Sequence, residues 1–161
     1  MQVEDLKIAL VWITQILKSR QIPYQITGGL AARAYGAERP INDIDIEIPD
    51  NRIDDILPEI RQYIIEGPLH FNDGVWELNL ITLRYKGQFI DLSGSESYKI
   101  FDPATNAWIA FSSDLSKAET REIFGRKLPI IPRPCLIEYK RILANYKSNA
   151  HQQQDLNEIS S

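Results

Sequence analysis

The chain has 161 residues, of which 43% are hydrophobic and 25% are charged, and its formal net charge is −4. This balance is typical of a globular protein rather than a disordered one, and the negative net charge argues against a general nucleic-acid binder. One cysteine, Cys135, excludes an intramolecular disulfide, and the apolar run from Ile8 to Ile13 is too short to span a bilayer. We therefore predict a cytoplasmic protein without a membrane partner.

Hydrophobic periodicity and Gly/Pro positions divide the chain into short helices and strands. In chain order the predicted helices are Val3 to Ser19, Leu30 to Gly36, Arg52 to Ile65 with Pro58 as a kink, 134–147 and 152–159. The predicted strands are 24–27, 43–48, a short one near Leu69, 75–85, 88–92, 98–101, 107–111 and 127–131. Hairpins are expected at Gly87 and around Asp102-Pro103. No repeat or linker divides the chain, so we predict one α/β domain.

The strand "DIDIEI" alternates strictly between acids and isoleucines. Asp43, Asp45 and Glu47 therefore share one face, and the isoleucines tie the other face to the core. Two carboxylates at this spacing can converge on one cation, and Mg²⁺ prefers oxygen ligands combined with substrate phosphates. The alternative for an isolated D-x-D is a half-buried strand whose polar face meets solvent.

Two further features, a Gly-Gly pair and a third acid, support a phosphate and metal site at this strand. Gly28-Gly29, after a strand and before a helix, permits close backbone approach and leaves amide groups free for phosphate, although a Gly-Gly pair alone is most often a turn. Asp91 in "FIDL" lies between apolar neighbours on another strand. It could complete a two-metal site and accept the proton of an attacking hydroxyl. Alternatively, it faces solvent or caps the turn at Ser93-Gly94.

Together these residues resemble the signature of the DNA polymerase β-like nucleotidyltransferase superfamily. The pattern comprises Thr27-Gly28-Gly29, thirteen intervening residues, Asp43-Ile44-Asp45-Ile46 and Ile90-Asp91-Leu92. The length, the element order and the segment "FGRKLPIIPRPCLIEYKRIL" are also similar to the small lincosamide and aminoglycoside nucleotidyltransferases. The chain departs from the pattern at Thr27, where an apolar residue is usual, at Gly29, where serine is common, and at His151-Gln152, where relatives often have Lys-Asp.

The resemblance implies a mixed sheet flanked by helices, with a catalytic core at about 24–92 and a C-terminal helical part at about 132–159 of a single 1–161 domain. It also implies transfer of a nucleoside monophosphate from ATP or another NTP to an acceptor hydroxyl. Asp43 and Asp45 would hold two Mg²⁺ ions, and Asp91 would hold the catalytic ion near the acceptor. Gly28 and Gly29 would face the triphosphate with their amides.

Several basic and acidic residues are secondary candidates. Arg39 could reach phosphate with its planar guanidinium, or pair with Glu38 or Asp50 at the surface. Lys140 matches a lysine near the triphosphate in relatives, against the alternative of a solvated helix face. Glu47 could extend the acidic face toward a cationic acceptor or remain a rim carboxylate in water, and Arg33 is a weaker phosphate candidate.

Histidine and tryptophan positions suggest no other chemistry. His70 and His151 lie far apart without a cysteine or carboxylate at metal-ligand spacing, which gives little support for a zinc site or a Ser-His-Asp triad. Trp12, Trp76 and Trp108 are predicted to belong to the core.

Three functions remain open at the sequence level. The first is an enzyme acting on a small molecule, as in antibiotic inactivation, which the low basicity of the chain favours. The second is an enzyme that modifies RNA or protein, as in toxin–antitoxin pairs. The third is a non-catalytic nucleotide-binding relative, against which the intact acids argue. The acceptor site is expected under the C-terminal helices or at a homodimer interface.

Overall fold

The structure, a computed structural model, describes residues 3–146 and 150–160. The strands in this part are β1 Gln25–Thr27, β2 Asp43–Ile48, β3 Ile64–Asn72, β4 Trp76–Tyr85, β5 Gln88–Gly94, β6 Tyr98–Asp102, β7 Ala107–Phe111, β8 Glu119–Ile123 and β9 Arg126–Ile130. The α-helices are α1 Val3–Ser19, α2 Gly28–Ala34, α3 Leu57–Ile60, α4 Arg133–Leu143 and α5 Ala150–Ile159. Short 3-10 helices cover Asp50–Ile56, Arg61–Tyr63 and Leu115–Lys117.

The strands form one mixed sheet in the order β7-β6-β4-β5-β2-β1-β9-β8, with β3 paired to β4. Strand β2 lies near its middle, antiparallel to β1 and parallel to β5. Ile44, Ile46 and Ile48 are fully buried, as alternation predicted, because one face of β2 packs into the core. The opposite face of β2 carries the acids. The predicted mixed sheet with flanking and C-terminal helices is confirmed.

The predicted regular helix from Arg52 to Ile65 is wrong. The segment forms a 3-10 helix, the single turn α3 and a second 3-10 helix, and the chain enters β3 at Ile64. Pro58 lies at the start of α3, where its missing N–H is tolerated, and it cannot continue a preceding helix. Ile53, Ile56 and Ile60 are nevertheless buried, so the predicted apolar stripe exists without the regular helix.

Other sequence predictions match the structure closely. Helix α1 has the predicted bounds, and tight turns join β4 to β5 at Gly87 and β6 to β7 after Asp102. Strand β8 was not predicted, because its exposed polar residues lack a strand pattern. The prediction that the fourth helix extends to residue 147 is wrong, because α4 ends at Leu143 and residues 144–146 form a turn; Lys147 itself lies outside the described residues. No helix in the described ranges is long and apolar enough to cross a membrane.

Helices α4 and α5 pack against each other and against α2, and α4 also contacts β6. Leu136, Tyr139 and Leu143 form the buried stripe of α4 at helical spacing, and Leu156 and Ile159 anchor α5. This packing places both C-terminal helices beside Gly28 and Gly29, where the predicted site begins; these glycines form the first turn of α2, which starts two residues before the predicted Leu30 and ends at Ala34.

Replacing Ile44 with alanine should lower the free energy of unfolding by about 2–5 kcal/mol, because the loss of a fully buried side chain leaves a cavity behind β2. The matched control is Ile65→Ala, where the side chain is 53% exposed and the change should stay within about 0.5 kcal/mol. Urea unfolding of both variants measures the difference. Equal losses would contradict the assignment of Ile44 to the core.

Candidate active site

The three predicted acids lie on one face of two adjacent strands. In the parallel pairing of β2 with β5, Asp45 is the direct neighbour of Asp91, and Asp43 lies two residues earlier on the same face of β2. On the other side of β5, Thr82 pairs with Asp91, and its Oγ1 donates a hydrogen bond of 2.7 Å to Asp91 Oδ1. Strand register alone therefore brings together acids that are more than forty residues apart.

Burial and mutual repulsion make this cluster reluctant to ionise. Burial, and then the charges of Asp91 and Asp43, raise the pKa of Asp45 to about 7, although Lys140 and Arg39 act in the opposite direction. Burial also raises the pKa of Asp91 and that of Asp43, the most exposed of the three. Full ionisation of the three acids would therefore place negative charge in the site that the surrounding side chains do not balance.

These residues fit a divalent cation by their chemistry. Three carboxylates on one face supply the hard oxygen donors that Mg²⁺ prefers, and a bound cation would offset the repulsion that raises their pKa values. Within residues 3–146 and 150–160, no three acidic, histidine or cysteine side chains are already gathered as a metal cluster. The hydrogen bond from Thr82 fixes Oδ1 of Asp91 and leaves Oδ2 available to a cation.

The Gly-Gly turn closes directly over this cluster. Gly28 has a φ of +63°, which favours glycine, and a Cβ there would collide with the Asp45 carboxylate. The backbone N–H of Gly28 donates a 2.7 Å hydrogen bond to the Tyr139 hydroxyl, so the prediction of a free amide is wrong at this position. Helix α4 thus reaches the turn and satisfies a donor that sequence reasoning had left open.

Arg39 and Lys140 are held beside the turn by one buried carboxylate. Asp155 Oδ1 and Oδ2 accept from Arg39 Nε and Nη2 at 3.0 and 2.9 Å, and Oδ2 also accepts from Lys140 Nζ at 2.9 Å. Lys140 and Asp155 are each 1% exposed, so the solvated-face alternative for Lys140 is wrong, and Arg39 pairs with neither Glu38 nor Asp50. The Arg39 guanidinium also packs on Gly29, where a Cβ would lie only 3.0 Å from Nη2, so a side chain at this position would have to displace the guanidinium.

Arg39, Lys140 and Asp155 form a group that we call the cationic trio, and the pKa shifts in this group differ from those of the three acids. Burial alone would raise the pKa of Asp155, but hydrogen bonds and charge from Arg39 and Lys140 outweigh it and hold that pKa below its ordinary value. Burial lowers the pKa of Lys140 despite the pairing with Asp155. Two cations share one carboxylate, so the trio keeps an excess positive charge next to the acidic strand.

A cavity of about 400 Å³ joins both groups. Its lining includes all seven predicted site residues: Gly28, Gly29, Arg39, Asp43, Asp45, Asp91 and Lys140. The rest of the lining is Thr27, Ile41, Asn42, Glu47, Phe71, Trp76, Leu78, Leu80, Ser93, Tyr98, Tyr139, Leu143, His151 and Gln152. Its size is within the range of small-molecule sites.

Sequence reasoning missed or misplaced several lining residues. Glu47 is 5% exposed rather than at a wet rim, and Trp108 is exposed at the surface rather than in the core. Trp12 and Trp76 pack against the core, as predicted, and Trp76 also lines the cavity. Arg33 is exposed and does not line the cavity. Tyr139 was missed, although its place in the buried stripe of α4 next to Lys140 could have indicated it.

The raised pKa of Asp45 predicts a pH-dependent stability in metal-free protein. The unfolded chain ionises Asp45 near pH 4 and the folded chain near pH 7, so the free energy of unfolding should fall as pH rises between these values. Asp45→Asn removes this group, and it should exceed the wild type in stability above pH 7 by about 1–4 kcal/mol. Urea unfolding in a chelator from pH 4 to 8 measures this. Parallel curves for the two proteins would contradict the assignment.

Comparison with known proteins found no matching family model and no matching curated protein. Among solved structures, a predicted nucleotidyltransferase from Thermotoga maritima is similar at 18% identity and a TM-score of 0.74, covering 98% of this chain and 96% of that one. The lincosamide antibiotic adenylyltransferase LnuA, in its lincomycin-bound form, is similar at 15% identity and a TM-score of 0.59, with 94% of each chain covered. ANT(2'')-Ia, in complex with adenylyl-2''-tobramycin, is similar at 16% identity and a TM-score of 0.63, covering 96% of this chain and 87% of that one. At these identities the likeness concerns the fold alone, and this chain has the nucleotidyltransferase fold.

Proposed function

We propose that the protein is a Mg²⁺-dependent nucleotidyltransferase that transfers a nucleoside monophosphate from ATP or another NTP to a hydroxyl group of a small molecule. The observation that carries this proposal is the juxtaposition of Asp43, Asp45 and Asp91 with the cationic pair of Arg39 and Lys140 across one cavity. Acids on one side and cations on the other suit a metal-bound polyphosphate.

The cationic side of the cavity would bind the triphosphate. Arg39 offers a planar guanidinium and Lys140 a compact ammonium, and Asp155 keeps both in place. The small Gly28-Gly29 turn lets the phosphates approach the backbone closely. These contacts would orient the α-phosphate toward the acceptor side of β5.

The acidic side would assemble the reaction. The acceptor oxygen attacks the α-phosphorus, its proton passes to a base, and pyrophosphate leaves. Asp91 is the base that we propose, because it lies directly beside Asp45 in the sheet and its Thr82 hydrogen bond fixes its direction. Two Mg²⁺ ions, when held by Asp43, Asp45 and Asp91, would neutralise charge on the entering and leaving oxygens.

A small-molecule acceptor is supported more strongly than RNA or protein. The cavity of about 400 Å³ suits a compact ligand, and the net charge of −4 does not favour a polyanion. Two of the similar structures are named for antibiotic acceptors, so antibiotics belong in the first panel of substrates to be tested.

The direct test incubates the protein with labelled NTPs and Mg²⁺ across aminoglycosides, lincosamides, other hydroxylated small molecules, RNAs and proteins. Asp45→Asn should reduce any transfer by about 10²–10³-fold or more, because a charge-stabilising group is lost where the reaction occurs. Asp54→Asn, at an exposed acid outside the cavity, is the control and should retain full activity. Near-normal turnover in Asp45→Asn would overturn the assignment.

Replacing Lys140 with methionine should raise the KM for the NTP about tenfold or more and change kcat less, because a charge-assisted phosphate contact is lost. Asp155 keeps its pairing with Arg39, so the fold should survive. Arg141→Met, at the exposed next position of α4, is the control for charge and helix propensity. Steady-state kinetics at saturating acceptor measure both variants, and equal KM values would contradict a role for Lys140 in nucleotide binding.

A further inference from the structure

A buried carboxylate surrounded by aromatic side chains lies at the inner end of the acidic strand. Along β2, Asp43 is exposed, Asp45 is partly buried and Glu47 is 5% exposed, so the face becomes more enclosed toward Glu47. Glu47 still lines the cavity, together with the aromatic side chains of Trp76, Tyr98 and Tyr139. This corner adjoins the cationic trio at Tyr139, because Lys140 Nζ lies 5.9 Å from the centroid of that ring, whereas Trp76 and Tyr98 lie on the strands on the other side of Glu47.

The aromatic rings stand at angles to one another around this corner. The ring centroids of Trp76 and Tyr98 are 6.4 Å apart, and those of Trp76 and Tyr139 are 5.9 Å apart with the planes at 67°. Tyr98 is further supported by Phe111, which stacks on it at 5.6 Å. Such an arrangement presents several ring faces and edges to one small volume, and ring faces attract cations.

Glu47 has hydrogen-bond donors but no cationic partner in the described part of the chain. Gln25 Nε2 donates to Glu47 Oε1 at 2.6 Å. Burial nevertheless raises the pKa of Glu47, although hydrogen bonds from Gln25, Ser113 and Tyr98 act in the opposite direction. The ion pairs found among residues 3–146 and 150–160 do not include Glu47, and the cavity cations Arg39 and Lys140 are paired with Asp155. A buried carboxylate without a cation is costly, and a cationic ligand would relieve that cost.

We propose that Glu47, Trp76, Tyr98 and Tyr139 form a binding site for an organic ammonium group. This inference rests on the proposed function, under which the acceptor would be a hydroxyl-bearing amine. Glu47 is two residues from Asp45, so the ammonium and the reacting hydroxyl would be about 6–7 Å apart along β2.

The remaining wall of the cavity defines the rest of this acceptor. Phe71, Leu78 and Leu80 line it on β3 and β4, next to Trp76, and they offer apolar contact without a further charge. The acceptor class is therefore an amphipathic amine with one cationic group and an apolar body, rather than a molecule that carries cations throughout.

Choline and 3,3-dimethylbutan-1-ol provide a matched pair of probes, since they share shape and hydroxyl group and differ only in the charged centre. Binding to the full chain without nucleotide or Mg²⁺ is measured by saturation-transfer NMR titration on the methyl protons. Choline should bind at least about tenfold more tightly than the neutral alcohol. Equal binding of the two probes, or no choline binding at 50 mM (about the weakest affinity that contacts of this kind would give), would overturn the proposal.

Substitutions test whether choline binds at this corner of the cavity. Glu47→Gln preserves size and should weaken choline binding about tenfold, and Trp76→Leu should also weaken it while leaving the carboxylate intact. Glu96→Gln, at an exposed acid that does not line this cavity, removes the same charge and should change the affinity less than about twofold. Thermal melting verifies that each variant is folded. Unchanged choline affinity in folded Glu47→Gln would overturn the proposal.

The two proposals fail separately in these measurements. Choline binding requires no NTP, so a protein that binds choline through Glu47 but transfers no nucleotide contradicts the proposed function alone. A protein that transfers nucleotide to neutral acceptors as well as to amines, with no loss in Glu47→Gln, contradicts the ammonium site alone.

Discussion

Parallel pairing of β2 with β5 places Asp45 directly beside Asp91, and this forced proximity of like charges is the constraint on which the rest of the site depends. The acids cannot move apart by a shift in strand register, because such a shift would also move the buried isoleucines on the opposite face out of the core. Burial, and then repulsion from Asp91 and Asp43, raises the pKa of Asp45, and burial raises that of Asp91. A stable fold thus holds a local electrostatic imbalance, as functional sites commonly do.

Asp155 connects this imbalance to the C-terminal helices. It lies on α5, binds Lys140 on α4 and Arg39 in the loop before β2, and is itself almost fully buried. Asp155 would remain paired if either Arg39 or Lys140 were removed. Removing Asp155 would instead leave both cations without a counter-charge in a poorly hydrated region. Helix α5 is therefore part of the site, and the Tyr139 hydrogen bond to Gly28 makes α4 part of it as well.

The cavity is chemically asymmetric across the acidic strand. Arg39 and Lys140 lie on the side of β1 and the C-terminal helices, where Tyr139 and Leu143 of α4 also line the cavity, whereas the lining from β3, β4 and β6 is apolar and aromatic without a cation. A polyphosphate suits the first side and an amphipathic acceptor the second, which is why we assign them in this way. The fold shared with antibiotic adenylyltransferases does not determine the acceptor, because ligand specificity depends on the individual side chains that line a site.

The amino-acid sequence by itself determined β2, its buried isoleucines, helix α1 and the hairpins, because these depend on local periodicity and turn residues. It also indicated the acids and the glycine turn that line the cavity. Only the tertiary structure decided that the chain from Arg52 forms short 3-10 and α-helical turns instead of one regular helix and then enters β3, and that Glu47 is buried. The hydrogen bonds from Arg39 to Asp155 and from Gly28 to Tyr139 join residues 116 and 111 positions apart. No local pattern encodes such contacts, since they arise from the packing of whole elements.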